Sequence, residues 1–351
     1  MNLEQGQELH GFTVLTAEPL PEIDGDAYTL SHPASGAKLL YLRNDDRNKA
    51  FSIAFRTPPA DDTGVFHILE HSVLCGSEKF PVKEPFVNLL KTSMQTFLNA
   101  MTFGDKTLYP VASTNDQDLM NLADVYMDAV LHPDIYRKRQ VFEQEGWHLE
   151  VADAEEGETD AGRRLTYNGV VYNEMQGALA APDAQLENAL ERAMFPDTAY
   201  GFVSGGDPAS IPALTYEKYK RVYHRHYSAD NCCITLYGKM DMAEKLELLD
   251  RDYLSKMPKG TSRPQLTVQH EQAGACVELP YYTENPEPDE VQCALAWYTG
   301  AFADRERQLG VEILLDALLG TNNSPLKAAL LAERLGADID IGFDDSTLQP
   351  V

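Results

Sequence analysis

The stretch HILEH, residues His67 to His71, decides how the rest of the chain is read. Asp61, Asp62 and Thr63 precede it as possible helix caps, and Cys75 and Gly76 follow where a helix could end, so the segment is expected to form one short helix. Histidines four residues apart lie on one helical face, and Glu70, three residues after His67, reaches the same face. Two imidazole nitrogens so placed can share one Zn²⁺, with the carboxylate beside the metal free to take a proton from water. The glutamate precedes the second histidine, the HxxEH order of the inverted zinc hydrolases rather than HExxH. The flanking Val65, Phe66, Ile68, Leu69, Val73 and Leu74 are apolar, so most of the helix is expected to be buried. A solvated patch of two histidines and a glutamate fits such flanks poorly, because buried imidazoles and carboxylates need partners.

A second element supplies a third ligand candidate. In NGVVYNEMQGALA, residues Asn168 to Ala181, the helical period puts Glu174 among Val170, Val171, Met175 and Ala178, and no lysine or arginine of that helix lies within reach. A carboxylate in such a stripe must be neutralised, paired or metal-bound. Glu143, Glu145 and His148 in FEQEGWHLE are rival ligands that spacing alone leaves open. Cys75, four residues past His71, reads as a helix-end core residue before it reads as a fourth ligand.

The surrounding chain of 351 residues is long enough for about two domains. Its formal charge of −26 disfavours nucleic acid, whose phosphates require a basic surface. No apolar run is long enough to span a bilayer, and the polar start MNLEQGQELHGF lacks the basic and apolar regions of a signal peptide. A soluble protein is expected, cytoplasmic in a bacterium, with an organelle matrix as the other setting. Five cysteines without a CxxC pair or a disulfide pattern fit a reducing compartment.

Strands are expected at Phe12 to Thr16, in a hairpin from Ala27 to Asn44, at Phe51 to Thr57, and in a second hairpin whose arms, Phe97 to Thr102 and Thr107 to Ser113, flank FGDK. NDQDLMNLADVYMDAVLHP reads as an amphipathic helix, DAEEGETDAG as an exposed acidic turn, and His224 and His226 as surface or capping residues. PKGTSRPQ, from Pro258, reads as a linker. Beyond it, strands near Cys276 to Pro280, Gln292 to Trp297 and Asp338 to Gly342, with helices Arg305 to Leu319 and Pro325 to Leu335, echo the order of the first unit without its HILEH. The domain limits expected are 1–257, a linker at 258–272, and an incomplete second copy at 273–351 within a longer polypeptide.

Together the words TGVFHILEHSVLCGSEKFPVKEPF, TFLNAMTFGDKTLYPVAS, FEQEGWHLE, NGVVYNEMQGAL, YGFVSGGDPASIP and NNSPLKAALLAERLGADI span nearly the whole chain. They resemble the M16 family of zinc metallopeptidases, and within it the presequence protease branch. The resemblance implies an α+β fold, one Zn²⁺ per chain held by His67, His71 and Glu174, and Glu70 as general base. It also implies that Asn99, Ala100 and Met101 hold an extended peptide substrate, as an exposed strand edge can through main-chain hydrogen bonds. An unstructured peptide and the C-terminal half of the same polypeptide are the partners implied. The competing reading is a non-catalytic peptide-binding or scaffold subunit of the same family.

Overall fold

The computed structural model describes residues 3–82, 85–152, 164–257, 259–260, 263–270, 276–283 and 291–351. The acidic turn DAEEGETDAG lies wholly outside them, as does part of the expected linker. The fold is α+β, and the chain divides into two compact units: residues 1–179 with 203–265, and residues 180–202 with 266–351.

The first unit is built on a sheet of strands β1 (Glu8–Leu9), β2 (Phe12–Leu20), β3 (Gly25–His32), β4 (Ala37–Arg43), β5 (Lys49–Arg56), β6 (Gln95–Leu98), β7 (Met101–Thr102), β8 (Lys106–Ser113), and, from much later in the chain, β11 (Cys232–Tyr237). The spatial order is β1-β2-β3-β4-β11-β5-β8-β6, with β7 also paired to β8. Alternation explains the sheet: in β5, Phe51, Ile53 and Phe55 are buried, and in β11 Cys232, Ile234 and Leu236 are. Strand β11 fills the centre, parallel to β4 and antiparallel to β5, so the 203–265 segment is locked to the N-terminal strands. At the far edge β6 and β7 replace the single arm expected from Phe97 to Thr102, because Asn99 and Ala100 interrupt the ladder.

Helices α1 (Val65–Val73), α2 (Pro85–Thr92), α3 (Asp116–Leu131), α4 (Arg139–Glu145) and α5 (Val170–Ala178) follow in chain order, with the ribbon β9 (His148–Val151) and β10 (Leu165–Asn168) between α4 and α5. Asn115 caps α3, its Oδ1 accepting from the Asp118 amide at 3.0 Å, and Leu119, Leu122, Ala123, Tyr126 and Val130 are buried on one face as their spacing requires. Helix α1 packs against α4, α7 (Tyr216–His226) and β7.

In the second unit are α6 (Pro182–Met194), α9 (Arg305–Leu319) and α10 (Pro325–Ala332), whereas α8 (Met242–Leu248) closes the first. Helix α6 belongs to the second unit although its sequence lies well before the expected linker. Tyr298 donates to the Met194 carbonyl, and Gln269 bonds Asp197 in both directions at 2.9 and 3.0 Å. Residues 276–280, 292–297 and 338–342 form no ladder among the described residues, contrary to the strands expected there. Over 292–297 and 338–342 exposure still alternates, with Leu295 and Trp297 exposed, whereas 276–280 is exposed throughout; a strand needs a hydrogen-bonded neighbour, which alternation cannot supply.

Candidate metal centre

Helix α1 buries seven of its nine residues, and the two left partly open are His67 and His71. The apolar side chains fix the helix, each contributing about 1.5–3 kcal/mol through burial, and the histidines point where the packing ends. The helix does not start as expected. Its cap is Gly64 at φ 62°, with no side-chain cap. A Cβ there would lie 2.5 Å from the Gly205 carbonyl oxygen and 2.7 Å from the Gly206 Cα, so only glycine lets the 203–207 loop approach. The acids before it serve that loop and α7 instead. Asp62 Oδ1 accepts from the Val203 amide and its carbonyl from the Asp207 amide, both at 2.8 Å, while Asp61 pairs with Lys218.

Each histidine is held through Nδ1. His67 Nδ1 donates to the Gly205 carbonyl at 3.0 Å, and His71 Nδ1 to Glu145 Oε2 at 3.3 Å. That leaves both Nε2 atoms as acceptors. Glu174, on α5, completes the group, its Oε2 standing 3.7 Å from each Nε2. The three ligand atoms lie within 4.8 Å of one another, and among the described residues this is the one such cluster of three or more His, Cys, Asp or Glu side chains. Two imidazole nitrogens and a carboxylate oxygen converging on one point, with a carbonyl or carboxylate behind each imidazole, form a donor set that suits Zn²⁺.

The rivals sit elsewhere. Glu143 pairs with Arg139 at 2.9 Å, and His148 Nδ1 donates to the Glu143 carbonyl at 2.8 Å. Cys75 Sγ donates to the His71 carbonyl and to Glu145 Oε1, behind the cluster rather than in it. His226 is buried, donating to the Val222 carbonyl at 2.9 Å with its ring edge-on to Phe66, while His224 is exposed.

Burial alone would raise the Glu145 carboxyl, but the bonds from His71, Cys75 and Gln144 outweigh it and hold it below the usual range. Burial would lower His71, yet the bond to Glu145 and the charges of Glu70, Glu145 and Glu174 raise it. Glu174 itself departs from its expected setting. Of its helix only Val171, Tyr172 and Met175 are buried, and the Glu174 side chain is 53% exposed. The face carrying positions 170, 174 and 178 opens beside the histidines instead of packing into the core. Convergence, not a stranded buried charge, makes Glu174 the ligand candidate.

Glu70 is 8% exposed and accepts from Thr102 Oγ1 at 2.7 Å. Burial, joined by its charge, pushes the Tyr126 hydroxyl up. Asn99, Ala100 and Met101 lie on the sheet edge just before Thr102, with the Asn99 amide donating to Pro110 and its carbonyl accepting from Tyr126. Sequence reasoning missed Gly205, Glu145 as a support, and Thr102. The paired glycines of SGGDP were the available signal for the first, since adjacent glycines mark a close backbone approach.

The profile for the peptidase M16 inactive domain matches residues 213–349, a range that excludes His67, Glu70, His71 and Glu174. Protein HypA of Clostridium perfringens is 42% identical over 99% of this chain, and presequence protease 1, chloroplastic/mitochondrial, of Arabidopsis thaliana is 40% identical over 97%. These alignments cover 36% and 31% of the relatives, so the chain spans about a third of their length. Among solved structures, a protease from Helicobacter pylori superposes with a TM-score of 0.64 over 93% of this chain and 73% of its own, at 14% identity. Pitrilysin does so with a TM-score of 0.56 over 74% and 26%, at 16% identity, and both likenesses concern the fold. With a fold shared with M16 proteases, an M16 profile over residues 213–349 and presequence protease relatives along its length, the chain belongs to the peptidase M16 family, on the presequence protease-like branch.

Proposed function

We propose that this chain is the zinc-bearing part of an endopeptidase that degrades short unstructured peptides. The observation that carries the reading is the convergence of His67 Nε2, His71 Nε2 and Glu174 Oε2 beside a buried Glu70. His67, His71 and Glu174 would hold one Zn²⁺, which when bound supplies Lewis acidity toward a peptide carbonyl and a water molecule. Gly205 and Glu145 keep both imidazoles in the tautomer whose Nε2 lone pair faces the ion. Glu70 takes the proton of the attacking water and delivers it to the leaving amine. Asn99, Ala100 and Met101 hold the peptide extended along the β6–β7 edge. The limits 1–257, 258–272 and 273–351 belong to this reading, with a C-terminal half of the same polypeptide as partner. So does a reducing compartment, bacterial cytoplasm or organelle matrix, which fits five cysteines that form no disulfide with one another.

The test measures zinc content and hydrolysis of a quenched peptide in the polypeptide of the complete reading frame. Glu70→Gln is expected to keep zinc and lose activity, since the amide keeps the shape but cannot accept the proton. Glu174→Gln is expected to lose zinc, and Glu143→Gln to lose neither. Activity of Glu70→Gln within threefold of the parent, about 0.7 kcal/mol, would sink the general-base role, because such catalysis contributes far more. Full zinc retention by Glu174→Gln would remove it from the ligand set and favour a non-catalytic scaffold or another third ligand.

A further inference from the structure

We infer that Thr102 is a positioning residue: its hydroxyl fixes the Glu70 carboxylate in the orientation from which it moves the proton. The inference rests on the role of Glu70 proposed above. Among the described residues Thr102 is the one group that hydrogen-bonds the Glu70 carboxylate, Oγ1 donating to Oε2 at 2.7 Å. A glutamate side chain has three rotatable torsions, and a base must bring one lone pair to within about 2.6–3.2 Å of the atom whose proton it takes. Occupying Oε2 with a donor leaves Oε1 to face the reacting water and limits rotation of the carboxylate. Small misplacements of a catalytic group cost large factors in rate.

The sheet, not the helix, sets where that donor stands. Thr102 pairs with Thr107 across β7 and β8. Past it the chain turns through Gly104 and returns, with the Phe103 amide donating to the Lys106 carbonyl at 2.8 Å. The turn is tied to the chain just past β5, where the Thr57 amide donates to the Asp105 carbonyl at 2.8 Å. Thr57 and Thr107 hydroxyls then meet at 2.8 Å beneath. A β-branched side chain on a strand so anchored has few χ1 choices, which suits a residue whose task is to aim one hydroxyl. Thr102 also ends the Asn99–Met101 edge, so the segment proposed to take the peptide and the clamp on the base are one piece of backbone. A peptide pairing there would stiffen the clamp as it binds.

Three variants test this in the zinc-loaded polypeptide of the complete reading frame. Thr102→Val keeps the branch and the strand preference and removes only the donor. It is expected to lower kcat about tenfold, equivalent to about 1.4 kcal/mol, with KM within twofold and zinc content unchanged. Thr102→Ser restores the hydroxyl and is expected within threefold of the parent. If Val is not accepted at this position, Thr102→Ala against Thr102→Ser gives the same contrast. Adding Thr102→Val to Glu70→Gln should lower the residual rate no further. A kcat of Thr102→Val within twofold of the parent, or Thr102→Ser as slow as Thr102→Val, overturns the inference. A rise in KM at constant kcat does so too, by making Thr102 part of peptide binding alone. An active Glu70→Gln would bring down the general-base reading itself, a separate and recognisable failure.

Discussion

Helices α1 and α9 carry similar amounts of apolar sequence and are treated in opposite ways. Helix α1, in the first unit, is covered on every side but the one that holds His67 and His71. Helix α9, in the second, has Gln308 as its one buried residue, and Leu309, Ile313 and Leu314 are 56%, 62% and 56% exposed. The pattern of a sequence shows that a face is suited to burial. Whether something lies against that face is decided by chain far away, such as β11 returning to the centre of the first sheet. A functional constellation can be read where the cover is complete, because the few residues left open there are open for a reason.

The largest effect expected from this contrast is on stability. Leu69, fully buried in α1, should cost about 2–5 kcal/mol as Leu69→Ala, through lost transfer energy and a cavity. Leu309→Ala, on the open face of α9, should stay within about 0.5 kcal/mol. Urea unfolding of both variants checks the difference. Equal losses would mean that α9 is covered in solution and that the contrast between the units is not real.

Next is catalysis. The proposed zinc ligands all lie in the first unit, so residues 1–351 should bind one Zn²⁺. A peptide must also be held in register and shielded from water, and the rest of the proposed polypeptide is expected to do this. Residues 1–351 alone are expected to cleave an unstructured peptide at least a hundredfold more slowly than the product of the complete reading frame, about 2.7 kcal/mol. Assays of each, and of residues 1–351 mixed with the remainder, decide. Equal rates would show that the first unit suffices.

Local signals in the sequence were read well, and non-local ones were not. The α9 limits, Arg305–Leu319, match those expected, and α3 and the strands β3 to β5 fall where they were expected to within about two residues, whereas β2 runs on to Leu20 past the expected end at Thr16. The HILEH helix and the shared face of its histidines were legible because four-residue spacing is geometry, although those histidines were expected buried and are the two residues of the helix left partly open. The expected cap was wrong because the backbone of 203–207, over a hundred residues away, takes Asp62, and glycine alone allows that approach. The stripe argument for Glu174 was wrong about burial, since it assumed a neighbour for the whole face. The strands expected at 276–280, 292–297 and 338–342 failed for the same reason: pairing is a property of two segments. Glu145, open as a ligand rival in the sequence, stands behind His71, a placement that only three dimensions decide.

The last expected effect separates the units by how each treats a carboxylate drawn at least partly out of water. In the first unit Glu145 has His71 for a partner, and its carboxyl is held low against its burial. In the second, Glu191 on α6 has acids for neighbours. Burial first, and then the charges of Glu187 and Asp344, push its carboxyl up to about 7. With the folded value above the unfolded one, near 4.5, the native state holds the extra proton between those limits. Stability therefore falls as pH rises through that window, and the loss is complete above about 7. Glu191→Gln removes the titration. It should be neutral near pH 4.5 and stabilising at pH 8, and removing Asp344 as Asp344→Asn should give a smaller gain of the same sign. Urea midpoints of the parent and both variants at the two pH values measure this. A Glu191→Gln gain that is the same at both would show that Glu191 is as well solvated in the fold as out of it, and the proposed difference between the units in their handling of charge would go with it.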